Sequence, residues 1–216
     1  FMVTSSHSGV GRWTWKSMAR TATDHIGVVR ATLLLLAGGA SRRMGQPKAL
    51  LPYGGTTLIE HVAQTLAPEF HEVLVSANDP DAVPPGLRQR LVPDLHLGAG
   101  PLAGIEAGRN AARHDTLFAI ACDMPLVTAE VARRVVAAAQ GHDAAVPRLR
   151  GRPEPAAAAY RQGAAGPVAA ALAEGRRQAA EGLEELDVAW LDDLDPRLFA
   201  NANDPATYRA LLDALR

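Results

Sequence analysis

From residue 31 onward, short apolar runs alternate with longer stretches whose apolar positions recur every three or four residues. The runs at 31–37, 72–76, 88–92, 116–122 and 143–147 have strand length, and all but the basic start of 88–92 have little polar interruption, the pattern of strands in a mostly buried sheet. Between them, Thr57 stands where a helix cap is needed, Glu60 follows three residues later, and Leu58, His61, Val62 and Leu66 fall at helical spacing. Residues 101–114, 128–140, 164–174 and 204–215 are the other predicted helices. Such alternation predicts one α/β domain over 31–216: a mostly parallel open sheet with helices on both faces, three Rossmann-like layers, and ligands at the carboxyl ends of the strands. The second half is less regular. Arg150-Gly151-Arg152-Pro153-Glu154-Pro155 breaks the pattern before a strand-like 156–160, and Gly175-Arg176-Arg177 separates two helical stretches, which predicts an insertion covering the site. Residues 1–30 read as a tail, with Phe1 preceding Met2.

Composition narrows the class. With 48% hydrophobic and 21% charged residues the chain has the make-up of a folded globular domain. A formal net charge of −1 gives no support to a general nucleic-acid binder. Cys122 is the single cysteine, so an internal disulfide and an all-cysteine zinc site are excluded, and a reducing compartment, the cytoplasm, is the expectation. No apolar run approaches the roughly 20 residues that span a bilayer, and residues 1–30 lack the apolar centre of a secretory signal. No membrane partner is expected.

The candidate chemistry begins where the first strand ends, in Leu36-Ala37-Gly38-Gly39-Ala40-Ser41-Arg42-Arg43-Met44-Gly45-Gln46-Pro47-Lys48. The eleven residues from Gly38 to Lys48 hold three glycines, three cations and no acid. Glycines let backbone amides approach phosphate oxygens closely, and Arg42, Arg43 and Lys48 are placed to neutralise a polyphosphate. A turn with solvated charges is the plainer alternative. The spacing fits neither the Walker A loop, since no lysine follows Gly45 directly, nor the dinucleotide fingerprint, since Gly38 and Gly39 are adjacent. A second stretch, Gly98-Ala99-Gly100-Pro101-Leu102-Ala103, does satisfy the dinucleotide pattern, with Asp123 near the acidic position, but it leaves the basic loop unexplained and Pro101 equally suits plain helix initiation.

Asp123 ends the apolar run 116–122, so its carboxylate emerges where substrates of open α/β sheets collect. That placement suits a Mg²⁺ ligand, because Mg²⁺ takes one or two protein carboxylates and fills its other positions with phosphate and water; a cap for the helix starting near Thr128 is the alternative. Asn201 and Asn203 alternate before Asp204-Pro205, so their amides share one side of an extended segment, facing a polar ligand or forming a turn into the last helix. Seven histidines show no metal-binding spacing, and His61 reads as a core or boundary residue. Ser5, Ser6 and Ser41 have no nucleophile elbow around them.

The Leu36–Lys48 stretch, with Ala49-Leu50-Leu51-Pro52 after it, resembles the signature loop of the molybdopterin guanylyltransferases within the nucleotidyltransferase group. The resemblance continues through Gly55-Thr56-Thr57-Leu58-Ile59-Glu60-His61, Gly100-Pro101-Leu102-Ala103-Gly104, Ala121-Cys122-Asp123-Met124-Pro125, Pro153-Glu154-Pro155 and Phe199-Ala200-Asn201-Ala202-Asn203, and so spans residue 31 to the C-terminus. It implies the three-layer nucleotidyltransferase fold and transfer of GMP from GTP to the terminal phosphate of molybdenum-bound molybdopterin, with release of pyrophosphate. Leu36, Ala37, Gly38, Gly39, Lys48, Ser76, Asp94 and Asp123 would bind the nucleotide, Arg43, Lys48 and Asp123 would carry catalysis, Asp123 would hold Mg²⁺, and Asn201 and Asn203 would meet the pterin substrate. Related enzymes often have asparagine where Ser76 stands, which makes Asn78 its possible substitute. Arg152 and Arg176 are candidates for the second substrate's phosphate or solvated surface charges. GTP and molybdopterin are the implied substrates, and molybdoenzymes or their chaperones the implied recipients. A cytidylyltransferase, a sugar- or polyol-phosphate nucleotidyltransferase and a non-catalytic nucleotide-binding chaperone remain as alternatives.

Overall fold

The computed structural model describes residues 28–38, 45–96 and 98–215. The expected tail, and within the basic loop Gly39, Ser41, Arg42 and Arg43, lie outside the described residues.

The first strand, β1 (Val29–Leu36), alternates its leucines between two cores: Leu33 and Leu35 face one side, Leu34 and Leu36 the other, all nearly inaccessible. A short hairpin of β2 (Pro52–Tyr53) and β3 (Thr56–Thr57) leads into α1 (Leu58–Leu66), and the expected capping box is present, Thr57 receiving the Glu60 amide while the Glu60 carboxylate accepts from the Thr57 amide. There follow β4 (Phe70–Ser76), β5 (Leu91–Val92), α2 (Pro101–Ala111), β6 (Thr116–Ala121), α3 (Ala129–Ala138), β7 (Ala144–Leu149), β8 (Arg152–Pro153), β9 (Ala157–Arg161), α4 (Ala165–Ala173), β10 (Val188–Leu191) and α5 (Pro205–Asp213). The main sheet runs β10-β7-β9-β6-β1-β4-β5, with β8 paired to β7. All its pairings are parallel except those of β9 with β6 and β7 and of β8 with β7. α1 and α3 cover the face of Leu33, Leu35, Phe118 and Ile120; α2 and α4 cover that of Leu34, Leu36, Leu117 and Ala119. These are the expected three layers. Among the described residues no helix is long and apolar enough to cross a membrane.

Two expectations need correction. The strand expected at 88–92 shrinks to Leu91–Val92, because Pro84 and Pro85 set a six-residue 3₁₀ turn over Pro85–Arg90 whose carbonyls and amides leave the ladder. The irregular stretch at 150–155 is a tight hairpin: Leu149 pairs with Arg152, and the two turn residues Arg150 and Gly151 both have positive φ, 50° and 78°. Other boundaries differ by a few residues, and β1 starts at Val29, ahead of the expected domain edge.

At the amino ends of the strands, away from the ligand end, buried Glu72 accepts from the Thr32 hydroxyl (2.7 Å), the Arg113 amide (2.9 Å) and the Arg113 Nε (2.6 Å). Burial alone would raise this carboxyl; the Arg113 amide, the Thr32 hydroxyl and the guanidinium outweigh it and hold it below its ordinary value of 4.5. A depressed folded value means stabilisation that is complete above 4.5 and is lost as pH falls through the folded value. Glu72→Gln should therefore melt lower than wild type at neutral pH, by about 2–4 °C for each kcal/mol removed. The gap should narrow below 4.5 in thermal melts across acid pH, and a constant gap would rule this account out.

Candidate active site

The carboxyl ends of β1, β4 and β6 lie side by side, tied beyond the strands by Ala37 N to Ser76 O (2.9 Å) and Cys122 N to Leu36 O (3.1 Å). Leu36 and Ala37, expected among the nucleotide contacts, also build the framework: Leu36 buries its side chain and gives its carbonyl to Cys122, and the Ala37 amide is taken by the sheet. Gly38 is the first exposed residue of the loop, and a Cβ on it would stand 3.9 Å from Asp94 Oδ2. The edge of the basic loop and Asp94 are thus neighbours.

Asp94, just beyond β5, is held from the end of β4. Buried Ser76, the last residue of β4, donates its hydroxyl to Asp94 Oδ1 (2.9 Å); Asn78 donates to Oδ2 (3.0 Å) and receives the Asp94 amide on its own Oδ1 (2.9 Å). Ser76 and Asn78 therefore act together, the one orienting the carboxylate and the other locking both its backbone and its side chain. The short β5 matters for this reason: its two residues extend the sheet just far enough to set Asp94 beside β4.

On the other side of Gly38, Asp123 follows β6 and is 7% exposed. Its Oδ2 accepts from Lys48 Nζ at 2.8 Å, and the same ammonium donates to Asn203 Oδ1 at 2.6 Å. Asn203 Nδ2 donates in turn to Asn201 Oδ1 (2.6 Å), and the amide of Ala202, between them, donates to the Asp123 carbonyl (3.1 Å). The fold thereby gathers four predicted residues from three separate parts of the chain. Asp123 is not a helix cap: Thr128 caps α3 through the Val131 amide. Asp204, not the asparagines, caps α5. The competing dinucleotide reading of residues 98–103 yields to the fold as well, because that stretch follows no strand in the manner of the fingerprint; α2 simply begins at Pro101 after Gly100.

Of two residues near the Asp123 turn, Glu154 had no predicted role and His61 was expected as a core or boundary histidine, which it is. Glu154, between two prolines, sits in the turn that β9 lays against β6, where the Ala121 amide donates to the Ala156 carbonyl (2.7 Å). Burial raises the Glu154 carboxyl, the Ala156 amide opposes this, and the nearby Asp123 charge adds to the rise. Its sequence signal was a carboxylate stiffened on both sides by proline. His61, on α1, packs its ring edge-on against buried Tyr53, 4.7 Å between centroids, and hydrogen-bonds the Pro125 carbonyl in the turn after Asp123. Burial lowers its pKa, so a neutral imidazole supports that turn. Nothing in the sequence separated it from an ordinary core histidine.

The remaining polar residues have other surroundings. Burial, and then the Asp123 charge, push the Cys122 thiol far up, so it stays protonated and is no nucleophile. Arg176 is engaged with Glu174 (2.7 Å) and Glu184 (3.0 Å). Arg152 is exposed in β8. Among the described residues no three His, Cys, Asp or Glu side chains gather as a metal cage. One carboxylate with neighbouring amide oxygens is a hard-oxygen set that suits Mg²⁺ bound mainly through phosphate and water, and does not suit zinc.

The sequence profile of the MobA-like NTP transferase domain matches residues 33–189, a span that holds Lys48, Ser76, Asp94, Asp123 and Glu154. A probable molybdenum cofactor guanylyltransferase of Pelotomaculum thermopropionicum is 43% identical over 138 residues, 63% of this chain and 66% of that relative. A molybdenum cofactor guanylyltransferase of Rhodobacter capsulatus is 36% identical over 194 residues, 87% of this chain and 98% of the relative. The crystal structure of molybdopterin-guanine dinucleotide biosynthesis protein A from Archaeoglobus fulgidus matches with a TM-score of 0.72 and 28% identity, covering 85% of this chain and 98% of that one. The fold, the ordered motifs and these relatives agree, and the chain belongs to the MobA-like NTP transferases, a family of nucleotidyltransferases.

Proposed function

We propose that the chain transfers GMP from GTP to the terminal phosphate of molybdenum-bound molybdopterin in a Mg²⁺-dependent reaction in the cytoplasm, and that the product passes to molybdoenzymes or their chaperones. The observation that carries this reading is the Lys48 ammonium lying between Asp123 and the Asn201/Asn203 pair, with Asp94 across the Gly38 end of the basic loop. A nucleotide stretched from Asp94 toward Asp123 brings its phosphates between Gly38 and Lys48. Asp94 is a fixed, acceptor-only carboxylate, and guanine offers N1–H and its 2-amino group as donors on one edge. Asn201 and Asn203 offer amide oxygens and donors to a polar heterocycle on the acceptor side.

In this reading the acceptor phosphate is already anionic and needs no general base, which agrees with a site whose only thiol is inert and whose His61 is turned to a backbone carbonyl. Gly38 and Gly39 hold the triphosphate by their amides, and Arg43 and Lys48 offset charge on the transferred and leaving phosphates. Asp123 holds Mg²⁺, which when bound neutralises the triphosphate and fixes its geometry. Positioning and charge neutralisation then supply the rate. The test is pyrophosphate release from each of the four nucleoside triphosphates with molybdopterin and Mg²⁺. Release with GTP alone is the expected result. Release with CTP instead would make the enzyme a cytidylyltransferase, and binding without release would make it a carrier.

A further inference from the structure

Lys48 is doing something in this site that phosphate binding does not require. Phosphate binding asks only for an ammonium within reach of phosphate oxygens. The Lys48 ammonium rests on Asp123 Oδ2 (2.8 Å), an atom of the carboxylate assigned to the metal, and on Asn203 Oδ1 (2.6 Å), an atom assigned to the acceptor. The two side chains of the ion pair are 23% and 10% exposed, so water screens the contact only in part. An ammonium and a divalent cation compete for the same carboxylate, and the protein must give up the first to take the second.

We propose that Lys48 is a placeholder cation: it occupies Asp123 and Asn203 until a triphosphate draws its ammonium away, so that metal enters with the nucleotide and the acceptor amide is released in the same step. The reasoning is electrostatic. Asp123 and half-buried Glu154 lie together, and among the described residues the ammonium of Lys48 is the cation seated on Asp123. A nucleotide brings several negative charges and its own metal, so it supplies both the new partner for Lys48 and the replacement cation for Asp123. Metal alone supplies only the second, and displaces the Lys48 ammonium without bringing an anion in exchange. Apparent affinity for metal alone is lowered by the fraction of molecules in which Asp123 is free. Because the ammonium also holds Asn203, and Asn203 holds Asn201, its departure frees Asn203 Oδ1 for a donor on the acceptor.

The inference rests on the assignment of Asp123 to the metal, and not on which nucleotide is used. It is tested by titrating Mn²⁺ alone, without nucleotide, into the full chain and counting free Mn²⁺ by its electron paramagnetic resonance signal. Lys48→Met should bind Mn²⁺ about tenfold more tightly than wild type, the scale of one displaced charge-assisted hydrogen-bonded contact. Lys48→Arg, which keeps a cation, should stay as weak as wild type. The double variant Lys48→Met/Asp123→Asn should lose the gain. Equal Mn²⁺ affinity in wild type and Lys48→Met overturns the proposal, as does a gain that survives in the double variant. Melting temperatures of all four proteins report whether each is folded, and the double variant, which has no uncompensated charge, keeps the comparison valid if Lys48→Met is destabilised. Failure of the guanylyltransferase reading looks different: it appears as the wrong nucleotide in pyrophosphate release, with the Mn²⁺ pattern intact.

Discussion

Asp123→Asn should reduce turnover with saturating GTP about a thousandfold, roughly 4 kcal/mol of transition-state stabilisation, while leaving the melting temperature within a few degrees of wild type. Asparagine keeps the shape of the side chain, and the bond that Asp123 makes to the Ala202 amide uses the backbone carbonyl, so the framework survives the change. The charge is what disappears. Without it the site loses the carboxylate assigned to the metal, and the Lys48 ammonium loses its ionic partner at 2.8 Å. Because the nucleophile carries its own charge, no acid–base residue masks the loss. The measurement is pyrophosphate release under single-turnover conditions across a Mg²⁺ series. Turnover within tenfold of wild type would falsify the metal assignment. Lys48→Met should also be slow, for the opposite reason: its metal site is more open and its triphosphate less well neutralised. Two inactive variants that move metal affinity in opposite directions are not explained by general damage to the site.

The sequence made the framework legible because framework is a matter of periodicity. Leu33 to Leu36 had to lie between two layers, since no single face accepts four consecutive leucines, and the Thr57–Glu60 pair had to open a helix. Asp123 was legible for a related reason: a charge ending an apolar run must come out at the strand's end. What periodicity does not encode is company. Asp123 and Asn203 lie 75 and 155 residues from Lys48 along the chain, and their meeting depends on β1 and β6 ending side by side and on α5 folding back over β2 and α1, where Leu211 and Ala202 pack on Tyr53 and Leu58. Glu154 was missed on the same ground, and His61, rightly expected as a core or boundary histidine, could not be placed beneath the turn at Asp123. Each is unremarkable locally, and each acquires a role only through the turn at Asp123. The expected strand at 88–92 shrank because only Leu91 and Val92 of its five residues are apolar, and Pro84 and Pro85, with fixed φ and missing amides, open a turn that runs through Arg90.

Gly104→Val should cost about 3 kcal/mol of stability and raise the KM for GTP about tenfold, linking the fold to the site through a single Cβ. α2 lies so close to the sheet that a Cβ on Gly104 would stand 2.6 Å from Ser76 Oγ and 3.0 Å from Leu36 Cδ2. Leu36 is 6% exposed and Ser76 2%, so neither has room to retreat. Overpacking of this kind typically costs about 1–3 kcal/mol, and valine adds two methyl groups and a stiff branch. The helix gains something by losing a glycine, up to about 1 kcal/mol, which is too little to offset the clash. The functional effect follows from which atom is struck: Ser76 Oγ is the donor that orients Asp94, so moving it tilts the carboxylate expected to read the base. kcat should change less than KM, because Lys48 and Asp123 lie on the other side of Gly38. Gly166→Ala is the matched comparison. Gly166 is exposed in α4 with nothing within 4 Å of a new Cβ, so here the helix preference acts alone and should stabilise the protein by about 1 kcal/mol. Denaturant melts and GTP kinetics on the two variants decide the matter: opposite signs in stability, with a KM effect confined to Gly104→Val, are required if close approach of α2 positions Asp94, and a Gly104→Val protein with wild-type KM would show that Ser76 plays no part in binding the nucleotide.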